Sequence, residues 1–210
     1  ARIQPTFVSN HDNGRFGYFV RKAFPQASDE EQLKRVTLAH AMLLTLRGVP
    51  TIYSGDEQGF AGDGWDQDSR EDMFPSKTAV YNDNVLIGTK ATTAQSNFDT
   101  AHPLYTKMVQ LSGMRQRHAA LRQGKQIVRN YADTPGLFAV SRIDPDDGHE
   151  IVVAFNTSDK AMTVNVEVAT QSTKFGALYG QCPESADTPG RIRLTLARLD
   201  FAVCEAGAKE

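Results

Sequence analysis

The sequence predicts an α/β portion followed by an all-β portion. Two observations carry this. Two short apolar runs, Phe7-Val8 and Val49 to Tyr53, flank a strongly helical pattern, which is the layout of a βαβ unit with a right-handed crossover. From Gln126 onward the hydrophobic period changes from helical to strand-like, in about seven short runs separated by turn residues.

In chain order, residues 3–9 are predicted as the first strand, running into Asn10-His11-Asp12. A strand that stops on an imidazole and a carboxylate aims both at one place. Asp12 can hold negative charge beside a developing cation, and His11 can bond a hydroxyl in either tautomer. Asn-His-Asp-Asn-Gly is equally a good turn sequence. Residues 14–24 are expected to be a loop whose aromatics, Phe16, Tyr18 and Phe19, either stack on a ligand or fill space above the next helix.

Ser28-Asp29-Glu30-Glu31 has the form of a capping box, with acids suited to the helix dipole. The helix is expected from about Asp29 to Arg47, with Leu33, Val36, Ala39, Leu43 and Leu46 on one face and Gly48 at its end. His40 within it reads as a core or edge histidine. Residues 58–101 are a long irregular stretch, a length that points to function or disorder. It holds the only Trp, Trp65, and Arg70; Trp65 is a candidate ligand contact or a plug that anchors the loop. Asp66, Asp68 and Asp72 read as a solvated acidic face, without the spacing of an EF-hand calcium loop. Pro103 opens a further helix that Gly124 closes.

Strands are then predicted at residues 127–131, 137–140, 151–155, 162–168, 175–179, 192–196 and 201–204. Short strands at this spacing read as an antiparallel Greek-key β-sandwich. Cys182 and Cys204 both fall in this portion; they pair across it or stand as two buried thiols.

With 210 residues, 40% hydrophobic and 23% charged, the composition is that of an ordinary globular protein with one or two cores. A net charge of −2 argues against nucleic acid or an anionic membrane surface as the main partner. No run approaches the roughly 20 apolar residues of a membrane span. The chain opens on Ala1-Arg2-Ile3, already heading into a strand, and a fragment of a longer protein is expected on that ground.

Phe7-Val8-Ser9-Asn10-His11-Asp12, followed by Gly48-Val49-Pro50-Thr51-Ile52-Tyr53-Ser54-Gly55-Asp56-Glu57, resembles the last two barrel strands of the α-amylase family of glycoside hydrolases, family 13. In that family the seventh strand ends in Asn-His-Asp and the eighth carries Gly-x-Pro-x-Ile-Tyr-x-Gly-x-Glu. The resemblance implies that residues 1–122 are the C-terminal portion of a (β/α)8, or TIM, barrel and that residues 123–210 are a C-terminal β-domain. It implies that Asp12 stabilises an oxocarbenium-like transition state and that His11 and Asn10 bind sugar. Arg70 and Trp65 become candidate substrate contacts on a loop bordering the cleft, and Glu57 and Tyr53 supporting residues. The expected partner is an α-glucan such as starch or a maltooligosaccharide, attacked with retention. The family's nucleophile and acid/base belong to earlier strands, so these 210 residues alone are expected to be inactive. No cofactor or metal is expected in this stretch, with calcium open for the parent enzyme, and a secreted or periplasmic site is favoured over the cytoplasm. Two parallel strands leave barrel edges unpaired, which makes self-association an expectation. Rival readings are a starch-binding module using Tyr131 or Tyr179, and a catalytically silent scaffold.

Overall fold

A computed structural model describes residues 4–207. They form two compact units: the described residues up to Leu44 with Gly48–Ser112, and Thr45–Arg47 with Gly113 onward.

In the first unit, β1 (Pro5–Thr6) pairs in parallel with β2 (Val49–Pro50), Pro5 opposite Val49 and Thr6 opposite Pro50. Thr51 N–H donates to Thr6 O at 2.8 Å and Val49 N–H to Gln4 O at 2.9 Å. The parallel βαβ arrangement is as predicted, but β1 stops before Phe7-Val8, the run expected to end it, and β2 covers only the first two residues of Val49 to Tyr53. Gly48 leads into β2 at φ 120°, and a Cβ there would lie 2.4 Å from Thr6 Cγ2, so the close approach of the two strands requires glycine.

Residues 14–24 are not the expected loop. They hold α1 (Phe16–Ala23), whose first N–H is taken by Ser9 Oγ at 3.0 Å. The cap comes from seven residues upstream, so no local N-cap signal marks this helix. α2 (Asp29–Thr45) begins as predicted: Ser28 Oγ accepts Glu31 N–H at 3.2 Å. The Glu31 carboxylate pairs with Arg35 one turn on, at 2.7 Å. Val36, Leu38, Ala41, Leu43 and Leu44 are buried along it, and so is His40.

The stretch after β2 is irregular, as expected, with short 3-10 turns at Asp56–Gln58, Asp66–Ser69 and Ala79–Asn82. A side chain holds its far end in place. Gln58 clasps Asp99 on both sides of its amide carbonyl, Nε2 donating to Asp99 O at 3.1 Å and Oε1 accepting Asp99 N–H at 3.0 Å. α3 (Pro103–Arg117) starts on its proline, as predicted. It does not run on to Gly124. His118 adopts extended backbone and α4 (Ala119–Gln123) restarts after it. The His118 ring bonds Glu205 at 3.1 Å, a contact 87 positions away in the sequence that local pattern cannot reveal.

The second unit carries all seven predicted strands: β3 (Lys125–Asn130), β4 (Leu137–Ile143), β5 (Glu150–Asn156), β6 (Met162–Glu167), β7 (Phe175–Tyr179), β8 (Arg191–Leu196) and β9 (Asp200–Ala206). A five-stranded sheet has the order β3-β4-β5-β9-β7 and a two-stranded sheet pairs β6 with β8, all antiparallel. β8 alternates exposed and buried residues, the signature of a strand with one face on the core. Ile192, Leu194 and Leu196 from β8 and Val166 from β6 join Val152, Ala154 and Ala202 in one core. Every residue of β5 is buried.

Arg142 of β4 is buried in the same unit, with Nη1 donating to Thr45 O at 3.0 Å and Nη2 to Gly124 O at 3.1 Å. Carbonyls at helix C-termini carry partial negative charge and suit such a cation. Burial, then repulsion from Arg115 and Arg47, lowers its pKa to about 10.

Cys182 and Cys204 form a disulfide that closes a loop of 22 positions and anchors the 180s loop to the core strand β9. Among the described residues no helix is long and apolar enough to cross a membrane. The closed loop makes Cys182→Ser lower the unfolding free energy by about 3 kcal/mol in the chain-entropy account. Denaturant titrations of the oxidised wild type and the variant measure this.

Candidate functional site

The site is built on a tight turn. Asn10 and Gly14 exchange backbone hydrogen bonds, Asn10 N–H to Gly14 O at 3.2 Å and Gly14 N–H to Asn10 O at 3.1 Å. Inside the turn, Asn10 Oδ1 accepts the N–H groups of Asp12 (2.9 Å) and Asn13 (2.6 Å). The Asn10 carboxamide oxygen is therefore spent on shaping the backbone that presents His11 and Asp12. Gly14 closes the turn at φ 89°, and a Cβ there would sit 2.6 Å from Gly64 O. The turn thus lies against the loop that carries Trp65.

His11 and Asp12 project outward, with side chains 63% and 70% exposed and His11 Nε2 3.4 Å from Asp12 Oδ1. The Trp65 loop comes to them. Asp66 N–H donates to Asp12 O at 3.2 Å. Arg70 Nε donates to His11 O at 3.3 Å and its Nη2 stands 3.9 Å from Asp12 Oδ1. Arg70 also pairs with the Asp66 carboxylate. Trp65 is exposed, with its ring 6.3 Å from that of Phe19, which in turn meets Tyr18 edge-on at 5.4 Å. Five residues singled out in the sequence, Asn10, His11, Asp12, Trp65 and Arg70, thus share one exposed rim. Its chemistry is that of a carboxylate, an imidazole and a guanidinium beside aromatic faces, suited to binding hydroxyl groups and steadying positive charge.

Glu57 and Tyr53 lie elsewhere. Glu57 Oε2 accepts Gly55 N–H at 2.9 Å and braces the turn after β2. The Tyr53 ring lies under the Arg15 guanidinium, 4.4 Å from its centroid. Burial pushes the Tyr53 hydroxyl pKa up, with Arg15 and Arg70 pulling it partly back.

Beneath the rim is a buried polar cluster that the sequence pattern did not reveal. Arg15 is fully buried. Its Nε donates to Glu71 Oε2 at 2.7 Å, and its Nη1 to Ser54 O at 2.9 Å and Asp56 Oδ1 at 3.2 Å. Its guanidinium lies over the rings of Tyr53 and Phe60, at 4.4 and 5.1 Å from their centroids. Glu71 Oε1 accepts Gly62 N–H at 3.2 Å. His40 Nε2 faces Asp56 Oδ2 at 3.4 Å, and its Nδ1 lies 2.9 Å from Val36 O. His40 is therefore the buried histidine expected. Burial raises the Glu71 pKa, and the Arg15 charge and hydrogen bond, then the Gly62 amide, oppose the rise. The partners of Arg15 stand 41 and 56 positions downstream, so only the presence of acids after the second strand hinted at them. Among the described residues no group of three or more His, Cys, Asp and Glu side chains is arranged to hold a metal ion.

Residues 1–124 match the family model described as "Alpha amylase, catalytic domain". The chain belongs to the alpha-amylase family. An alpha-amylase of Streptomyces lividans is 42% identical across all 210 residues, which span 23% of that protein. A beta/alpha-amylase of Paenibacillus polymyxa is 28% identical over 163 residues, 78% of this chain and 11% of that one. Among solved structures, an alpha-amylase of Geobacillus thermoleovorans complexed with acarbose shares the fold over the whole chain and 40% of its own length, at a TM-score of 0.73 and 20% identity. A debranching enzyme of Nostoc punctiforme aligns with 97% of this chain and 35% of its own, at a TM-score of 0.66 and 27% identity. The chain therefore spans about a quarter of the alpha-amylase relative and about two fifths or less of these structures.

The raised Glu71 pKa sets a sign. Just above the ordinary carboxyl value of 4.5 the folded state holds this proton longer than the unfolded chain does. The contribution of Glu71 to stability is then full below that value and falls as pH rises through the folded pKa. Subtracting the pH–stability profile of Glu71→Gln from that of the wild type isolates this falling step; a flat or rising difference contradicts it.

Proposed function

We propose that the chain is part of an α-amylase-type glycoside hydrolase that cleaves α-glucans, starch and maltooligosaccharides, with retention. The observation that carries this reading is the gathering of Asp12, His11 and Arg70 on one exposed rim. That rim lies within the 124 residues matched by the alpha-amylase catalytic-domain model. The acarbose complex of the Geobacillus thermoleovorans relative supports a glucan ligand.

In this reading Asp12 accepts hydrogen bonds from hydroxyls of the sugar at the cleavage point and stabilises charge as the ring flattens toward an oxocarbenium ion. His11 bonds a hydroxyl of the same sugar. Arg70 faces Asp12 and orients its carboxylate, and Trp65, with Phe19 behind it, offers a flat apolar face to a neighbouring ring. Asn10 contributes by holding the turn. Retaining chemistry needs a nucleophile and an acid/base. Those carboxyl groups would come from other segments of the parent enzyme, and the 210 residues alone would not hydrolyse a glucan.

The parallel β1–β2 pair, joined through α2, supports placing residues 1–122 at the closing end of a (β/α)8 barrel. β9 lies between β5 and β7 while β6 and β8 pair in the other sheet, and these crossings support a Greek-key connectivity for residues 123–210. Among the described residues β1 and β2 pair only with each other, which supports self-association through their free edges. Calcium, where the parent uses it, would be held by other segments. The Cys182–Cys204 disulfide supports an oxidising compartment, secreted or periplasmic.

Asp12→Asn in the full-length enzyme is expected to lower kcat on maltoheptaose by about 10²-fold or more, the scale of losing one transition-state contact. Reducing-sugar assays measure it, and near-wild-type kcat in the variant would sink the reading.

A further inference from the structure

We propose that Arg15 is a positioning residue: its buried ion pair with Glu71 sets where Arg70 stands against Asp12. The proposal rests on the functional reading above and deepens it.

Arg15 follows directly on the turn Asn10–Gly14, which presents His11 and Asp12. Glu71 follows directly on Arg70. The 2.7 Å bond between Arg15 Nε and Glu71 Oε2 therefore ties the backbone of one rim element to that of the other, from underneath. The second Glu71 oxygen takes Gly62 N–H, so the same carboxylate also fixes the start of the Trp65 loop. Nη1 of Arg15 reaches Ser54 O and Asp56, bringing the turn after β2 into the same grip.

Above this, Arg70 meets the turn through exposed contacts. Its side chain is 44% exposed and that of Asp12 70%, at 3.9 Å. Exposed pairs of this kind hold geometry weakly. A buried, hydrogen-bonded guanidinium–carboxylate pair, both side chains within 1% of full burial, holds it strongly because breaking it strands a charge. The rigid element is therefore the lower pair, and the Arg70–Asp12 spacing is inherited from it. The fork of an arginine is needed, since one guanidinium serves three acceptors in fixed directions while an ammonium offers a single point of charge.

A double-mutant cycle in the full-length enzyme tests this, with kcat and KM on maltoheptaose as the readout. Glu71→Gln keeps size and hydrogen-bonding atoms but removes the charge. With Arg70 present, kcat/KM is expected to fall by roughly 30-fold, on the scale of a misplaced site. In the Arg70→Ala background the same change is expected to cost less than about 3-fold, because the group it positions is gone. Thermal midpoints are expected to shift equally in both backgrounds, so stability alone cannot produce the pattern. Equal losses of kcat/KM in both backgrounds, or no loss in either, overturn the proposal. Where Glu71→Gln does not fold, Arg15→Lys runs the same cycle. Asp12→Asn separates the two levels. If it stays active, the functional reading falls; if it is inactive while the cycle is additive, only the positioning role falls.

Discussion

A full positive charge with no access to water sits at the centre of the first unit. Taking a guanidinium out of water is costed at several kcal/mol even after relaxation, and the interior must supply compensation in place. Arg15 receives it from Glu71, Asp56, the Ser54 carbonyl and two aromatic faces. Each partner comes from a segment with little regular structure of its own. The turn at residues 10–14, the turn after β2 and the loop from Gly62 to Glu71 have few ladder or helix bonds to define them. Their relative placement depends on satisfying this one charge. Arg15 Nη2 is already buried without a partner, so a conformation in which any of the three drifts adds a further loss to the same ion.

The division of labour between buried and exposed groups follows. His11, Asp12 and Arg70 are 44–70% open to solvent, which leaves hydrogen-bonding capacity free on each. Solvent-exposed side chains are poorly fixed by their own contacts, since water competes for each one. Precision has to come from the backbone that carries them. Here it comes from Asn10 Oδ1 inside the turn, from Gly14 against Gly64, and from the ion pair below.

What was legible in the sequence divides along the same line. The seven strands of the second unit were readable because an antiparallel strand with one covered face writes its period directly into the chain, as β8 does. The parallel β1–β2 pair was readable from two apolar runs on either side of a long helix, and α2 from Ser28 and the acids after it. Asn10, His11 and Asp12 were singled out through a family motif, and Trp65 and Arg70 through the long loop that holds them. α1 and the break at His118 were not, because their determinants, Ser9 Oγ and Glu205, lie outside any local window. The ladder covers only Pro5–Thr6 and Val49–Pro50, and Phe7, Val49 and Ile52 stand exposed, so apolar character marked neither burial nor the extent of pairing here. Arg15 was invisible for a related reason: in sequence it is an ordinary charged residue in a polar turn, and its burial is a property of three distant segments closing over it.

The two units accordingly answer to different physics. The second has a core of alternating apolar residues from two sheets, crossed by a disulfide, so much of its cohesion is spread over many small contacts, with Arg142 and Glu150 as buried charges beside them. The first has its apolar anchors on α2 and in residues such as Phe60, Leu86 and Ile87. Its loops, however, are organised by a few strong, directional and mutually dependent bonds. Networks of that kind are all-or-none: losing one member costs more than that member's own bond, because the others remain buried. Spread apolar cohesion tolerates drift, whereas a charge network fixes distances. It is in the first unit, the one organised by a charge network, that Asn10, His11, Asp12, Trp65 and Arg70 are found.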